Sequence, residues 1–362
     1  MQVHRHLRLS RLGGRGRSSG SGRPRGRPPR RNRLVGVTLD RRQLLRRVTA
    51  AAGGMTLAGL APEAAPAAAT GSGGGAFPTH PRWKFVFVSN LTTSPLFVPL
   101  QYGIEDACAL VECTYRWTGS VGADTGEVVK AVESARPVAE ALQAGIPVVA
   151  YHADASPSDP RVAFVGQNAY AVGRSIGERI AKLVRKGDVT LFVTERRVPP
   201  VEQRLKGALA GIRGSGAPIR TTVVVTTGDS YESAARIDRH VIAHAHVRGL
   251  FALELVPSEG VGRAMVKHNL RREGVLAGGY GVLPATLDLI RQGQLEFTLD
   301  EQPYLQGFVP VLQLFLVKLS GGLLAPSDTE LPLVFVRRSN LKRYLAKTRY
   351  EGSSSKQRYP IY

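Results

Sequence analysis

A set of side chains suited to gripping a small polar molecule recurs at one kind of place in this chain. Ser94 and Phe97 follow the strand-like stretch Trp83–Ser89, and His152 and Asp154 follow Ile146–Tyr151. Gln167 and Asn168 follow Val162–Val165, and Arg204 lies beyond Leu191–Val193. Glu254 lies beyond Phe251, Tyr280 beyond Leu276, and Glu301 beyond Phe297–Leu299. Planar polar groups and aromatic faces of this kind build pockets for neutral polar ligands. Taken singly, each reads more readily as a surface or capping residue. Their recurrence beyond strand ends makes them a group.

Patterns for covalent chemistry are absent. No Gly-x-Gly-x-x-Gly follows the first strand, there is no phosphate-cradling Gly-Lys-Ser/Thr, and no Gly-x-Ser-x-Gly elbow follows a strand. An enzyme is therefore disfavoured, and neither a cofactor nor a metal is expected. His240 and His244 lie one helical turn apart, with His246 nearby, but Ile237, Val241, Ile242 and Ala245 make the segment an ordinary amphipathic helix with a solvated end. Cys108 and Cys113 are the only cysteines. Their close spacing makes a disulfide geometrically demanding, so they read as buried thiols.

The elements that must position these groups alternate. Strands are expected at 83–89, 114–117, 146–151, 162–165, 188–193, 221–226, 249–253 and 274–278. Helices are expected between them, with the one at 126–143 interrupted at Pro137. Alternation of this kind predicts parallel sheets with crossover helices, and apolar strands such as Leu191-Phe192-Val193 suit sheets covered on both faces. The fold class is α/β, with two doubly wound parallel-sheet lobes joined by a hinge of several segments. The stretch 297–308 condenses the argument: a strand, the polar corner Asp300-Glu301-Gln302, then Pro303 at a helix start. Ligands of open α/β sheets collect beyond the carboxyl ends of the strands.

The formal net charge of +21 is concentrated at one end. Residues 1–50 hold fifteen Arg against the single acid Asp40, which leaves +7 for the rest. This Arg/Gly/Ser/Pro segment has too few apolar residues for a core and is expected to be disordered. No aromatic interleaving and no helix-turn-helix pattern accompany it, so nucleic acid is not the expected partner. Arg41-Arg42-Gln43-Leu44-Leu45, an apolar run over 48–60 and Ala64-Ala65-Pro66-Ala67-Ala68-Ala69 read as a twin-arginine export signal. The run is too short and too rich in Gly and Ala to anchor in a bilayer, and no Cys stands at the cleavage point to take a lipid.

The mature chain resembles the sugar-type substrate-binding proteins of ABC importers, the periplasmic-binding-protein type 1 (ribose-binding-like) family. The residues that carry the resemblance are Asn90–Val98, Tyr115–Ser120, Ala144-Gly-Ile-Pro-Val-Val-Ala-Tyr151, Phe164-Val-Gly-Gln-Asn168 with Gly173, and Asp300-Glu-Gln-Pro-Tyr-Leu-Gln-Gly307. It spans nearly all of 83–350. It implies lobe one at 83–166 plus 302–332 and lobe two at 167–301 plus 333–350. Residues 1–69 form the arm and signal, 70–82 a linker and 351–362 a flexible tail. It implies a monomeric, exported, non-lipidated receptor that closes over a sugar or polyol and delivers it to an ABC permease after passage through the twin-arginine machinery. Alternatives with the same core are a DNA-binding regulator and an orphan extracytoplasmic sensor.

The resemblance also assigns roles. Phe97 would stack on a sugar face, His152 and Asp154 compete for one polar position, and Arg204, Glu254 and Glu301 take others. Two departures stand out. Gly281 occupies the place after Gly278-Gly-Tyr where relatives carry Asp, so Glu301 or Glu254 is left to compensate. One β-α unit of lobe one, between the helix after Trp117 and the helix before Ile146, is expected to be missing.

Overall fold

The computed structural model describes residues 77–121, 138–153, 161–196, 198–345 and 350. The expected signal, most of the linker, Asp154 and the tail lie outside them. The linker was expected to reach residue 82, yet Phe77 and His80 both pack edge-on against Phe315, with ring centroids 4.9 Å apart. The chain is tied down from Phe77 onward.

Strand β1 (Lys84–Ser89) buries Phe85, Phe87 and Ser89 on one face. A 3-10 turn, Pro95–Phe97, leads into helix α1 (Val98–Leu110), and β2 (Thr114–Gly119) pairs in parallel with β1. Helix α2 (Val138–Gln143) precedes β3 (Val149–His152) and β4 (Ala163–Gly166), which pair in parallel. After α3 (Ala169–Val184) come β5 (Gly187–Val193), α4 (Pro199–Gly214), β6 (Ile219–Val225), α5 (Ser230–Ala243) and β7 (Val247–Ala252). Then follow α6 (Leu255–Lys267), β8 (Leu276–Gly278), α7 (Pro284–Arg291), β9 (Thr298–Asp300) and α8 (Pro303–Leu319). Strands β10 (Thr329–Glu330) and β11 (Val334–Val336) close the order.

One lobe is the parallel sheet β6-β5-β7-β8, extended by a parallel bridge between Gly278 and Phe297 to β9 and its antiparallel partner β11. Its apolar cores cover both faces, as the continuous strands predict. The other lobe holds β1-β2 and the sheet β10-β4-β3. The chain passes between the two sheet systems after β4, after β9 and after β10. At the second passage Gln302 sits in the left-handed region (φ 58°, ψ 52°), and the Asp300 carboxylate accepts its backbone N–H at 2.8 Å. Pro303 then opens α8, where a missing N–H costs nothing.

Helices in both lobes cross at glycines. Gly177 of α3 faces the Ala208 carbonyl of α4, and Gly211 of α4 faces that of Arg174. In the other lobe Gly103 of α1 faces the Tyr304 carbonyl and Gly307 of α8 faces that of Leu100. Only a residue without a Cβ allows such backbone approach.

The first lobe departs from expectation. The strand expected at 146–151 as a buried one is β3, shifted to Val149–His152 and half-buried throughout, with Ile146 48% exposed. Among the described residues β3 has a ladder to β4 alone, and none to β1. A strand with one paired edge cannot be covered as a central strand is. The β-α unit expected to be missing, and the helix expected to start at 126, fall on residues 122–137, outside those described. What bridges β1 and β3 is a side chain. Tyr151 donates its hydroxyl to the Val88 carbonyl at 2.8 Å, and its ring meets Phe87 edge-on. Burial pushes the Tyr151 hydroxyl well above the usual tyrosine range, so it remains a donor. Tyr151→Phe leaves the Val88 carbonyl unmet and is expected to cost about 1–2 kcal/mol. Urea unfolding checks this; an unchanged midpoint would show that the hydroxyl does not join the two strands.

Candidate functional site

Six of the expected ligand residues fall along one connected chain of contacts between the lobes. It begins at the turn after β1. Ser94 caps the 3-10 turn, its Oγ accepting the Leu96 N–H at 3.4 Å, so its oxygen serves the turn. Phe97 closes the turn and is only 4% exposed. Its ring lies 5.7 Å from Trp117 and meets His152 nearly perpendicularly at 5.3 Å. The open face expected for sugar stacking is therefore covered, because a large ring at this turn is drawn into the core beneath β2.

His152 ends β3 with a left-handed backbone, φ 66°, rare for a side chain of this size. Its Nδ1 lies 3.0 Å from Oε1 of Gln306, and Gln306 donates through Nε2 to the Glu301 backbone carbonyl at 2.6 Å. The Glu301 carboxylate accepts the Tyr280 hydroxyl at 2.6 Å. The Arg204 guanidinium lies over the Tyr280 ring, 4.2 Å from its centroid, and donates to the Leu253 carbonyl at 2.9 Å. Next to Leu253, Glu254 accepts the backbone N–H of Thr194 at 2.5 Å and its hydroxyl at 2.9 Å. Phe97, His152, Glu301, Tyr280, Arg204 and Glu254 are thus brought together. Ser94 is attached only through its own turn, and Asp154 lies outside the described residues. Gln167 donates to the Pro332 carbonyl at 3.0 Å and Asn168 caps α3, so both serve the crossings.

The charges of the site hold one another. Burial works against the Arg204 charge, but Tyr280, Glu301 and Glu254 outweigh it and raise its pKa. Burial pushes the Tyr280 hydroxyl far above its ordinary range; Arg204 opposes this and Glu301 adds to it. Burial also raises the Glu254 carboxyl against the lowering effect of the Thr194 hydrogen bonds. One guanidinium between two carboxylates disfavours an anionic ligand. A carboxylate, an imidazole and a guanidinium are instead acceptors and donors for hydroxyl groups.

Gly281 resolves a question left by the sequence. It lies at φ 83°, and a Cβ there would stand 2.3 Å from Leu255 Cδ1. An aspartate would be strained and crowded at this place. Of the two candidates to compensate, Glu254 has both oxygens engaged by Thr194, whereas among the described residues Glu301 engages one, with Tyr280.

Sequence reasoning missed Gln306 and Thr194. Gln306 carried a signal: a polar residue on the buried face of an otherwise apolar helix, one turn after Gln302. Thr194 carried none.

Elsewhere, His240 stacks on His244 at 3.9 Å and contacts the Thr190 hydroxyl at 2.9 Å. Among the described residues no cluster of three or more His, Cys, Asp or Glu is placed to hold a metal. Cys108 and Cys113 are buried and unbonded, and burial pushes the Cys108 thiol up to about 12.

A family model described as "Periplasmic binding protein domain" matches residues 133–319. The chain is 38% identical over 316 residues to the xylose/arabinose-binding protein XylF of Sulfolobus acidocaldarius, covering 78% of this chain and 77% of the relative. That share of 362 residues is about 282, short of the 316 aligned, so the alignment passes over positions that this chain lacks. Among solved structures, a solute-binding protein from Burkholderia graminis in complex with D-arabinose is similar, with TM-score 0.65 and 19% identity over 72% of this chain and 96% of that one. The glucose-galactose binding protein GanP of Geobacillus stearothermophilus is similar with TM-score 0.65 and 18% identity, over 72% of this chain and 99% of its own. With sequence identity, family match and fold in agreement, the chain belongs to the sugar-type periplasmic binding protein family.

Proposed function

We propose that this is an exported substrate-binding protein that captures a neutral monosaccharide or polyol between its lobes and delivers it to an ABC permease. It is a binding protein and not an enzyme. The observation that carries the reading is the unbroken chain Phe97–His152–Gln306–Glu301–Tyr280–Arg204, which joins strand ends of both lobes. Lobe one comprises 83–166 and 302–332, and lobe two 167–301 and 333–350. The three passages between them act as a hinge that closes on the ligand. Export follows the twin-arginine route. The xylose and arabinose of the XylF relative, and the D-arabinose of the Burkholderia complex, make a pentose the first choice. Lobe one is read as lacking one β-α unit. The shortened lobe still keeps β1, β3 and their cleft-side residues.

Thermal unfolding of the purified mature chain with D-xylose, L-arabinose, D-arabinose, D-glucose and D-galactose tests the reading. A sugar at about a hundred times its Kd is expected to stabilise by roughly 2.7 kcal/mol. If none of these sugars raises Tm even at millimolar concentration, the reading fails.

A further inference from the structure

We infer that Gln306 is a positioning residue of the ligand site: its amide fixes the His152 imidazole as the tautomer protonated at Nδ1, and so offers Nε2 to the ligand as an acceptor. The inference rests on the binding reading above.

Gln306 lies one turn into α8 and is 1% exposed, so its side chain has little freedom. Its two ends meet different partners. One end lies 2.6 Å from the Glu301 carbonyl, which only accepts, so that end is the NH2. The other end is therefore the amide oxygen, which also only accepts. It lies 3.0 Å from His152 Nδ1, so Nδ1 carries the hydrogen. In a neutral imidazole the hydrogen bond made by one nitrogen sets the state of the other. With Nδ1 protonated, Nε2 presents a lone pair. Nε2 makes no hydrogen bond among the described residues.

His152 is held from three sides: by its left-handed backbone, by the Phe97 ring and by Gln306. That is the preorganisation a binding site needs, since no rotamer is left to be frozen when the ligand arrives. The same amide grips the backbone of Glu301 in the passage from β9 to α8. The imidazole from the β3 end and the backbone of the second passage are thereby held by one amide. The polar residue of the apolar helix face is thus assigned to the ligand site, although it need not touch the ligand.

The test needs no ligand for its first part. Two-bond 1H–15N spectra of the 15N-labelled chain report the tautomer of His152, assigned by loss of its signals in His152→Gln. The wild type is expected to show hydrogen on Nδ1, and Gln306→Leu to shift it to Nε2. Gln306→Glu keeps an acceptor at Nδ1 and is expected to keep Nδ1 protonated. Titration with D-xylose and L-arabinose is expected to show affinity falling roughly tenfold or more in Gln306→Leu, with partial recovery in Gln306→Glu. A wild-type His152 protonated at Nε2 overturns the inference. So does a tautomer unmoved in a folded Gln306→Leu chain, or sugar affinity unchanged after the tautomer has shifted. If the tautomer behaves as expected but the wild type binds none of the sugars named above, the binding reading fails, and with it the role of Nε2, while the amide assignment stands.

Discussion

Gly177→Ala is expected to destabilise the second lobe by about 3 kcal/mol, at the upper end for overpacking. A Cβ at Gly177 would stand 2.1 Å from the Ala208 carbonyl oxygen. Nothing flexible can give way there, because the obstacle is the main chain of α4. Relief requires the helices to move apart by more than 1 Å, and Gly211, 2.3 Å by the same measure from the Arg174 carbonyl, shows the approach to be reciprocal. Gly214→Ala is the control. It lies at the end of the partner helix α4 with no atom within 4 Å of its Cβ position, and is expected to be neutral or stabilising by roughly 0.5–1 kcal/mol. Denaturant unfolding of both variants decides the matter. Equal midpoints would mean that the glycines are not there for helix approach. Arg204 stands on α4, so any sugar affinity is expected to fall with Gly177→Ala and not with Gly214→Ala.

The second large effect is a dependence of stability on pH set by Asp300. Burial pushes its carboxyl up to about 6, although the Gln302 backbone N–H, the Tyr344 hydroxyl and the Gln302 amide all donate to it; the neighbouring Glu301 charge adds to the rise. A folded-state pKa above the unfolded value means that the fold prefers the protonated acid. The stability this group contributes is fully present below about pH 4 and is lost as pH rises towards 6. A shift of roughly two units corresponds to about 3 kcal/mol. Asp300→Asn removes the titration. The stability of the variant relative to the wild type is therefore expected to rise by about this amount between pH 4 and pH 6, and to stay level above. The carboxylates paired on the surface, such as Asp238 with Lys267 and Asp328 with Arg161, are common to both proteins and cancel in the difference. A difference that does not change with pH would show that Asp300 remains ionised in the fold.

Much of the architecture was legible without coordinates. Alternating apolar segments of strand and helix period leave a chain few options other than parallel sheets with crossover helices. A proline between a polar corner and an apolar run of helical period suits the first turn of a helix, and Pro303 stands there. The motif residues from Asp300 to Gly307 placed the chain in its family before any fold was seen, and they form the second passage between the lobes.

The site was legible as a set of positions and not as a set of contacts. Strand ends can be read from periodicity, so His152, Arg204, Glu254, Tyr280 and Glu301 could be named. Which of them touch depends on how the two sheet systems meet, and no local pattern encodes that. The sequence suggests Phe97 as a ligand-facing ring because aromatic character is visible in one dimension and burial is not; in the fold it is buried, packed on Trp117 and His152. Gln306 was hidden for the opposite reason, since its amide gains a role only where Glu301 and His152 arrive together from distant parts of the chain. Composition and periodicity determine which elements form and where they end, because these depend on neighbours within a few residues. The joining of β1 to β3 through Tyr151, the helix crossings at glycine and the choice of Glu301 over Glu254 as the available carboxylate depend on residues far apart in the chain. Only the packed structure could decide them.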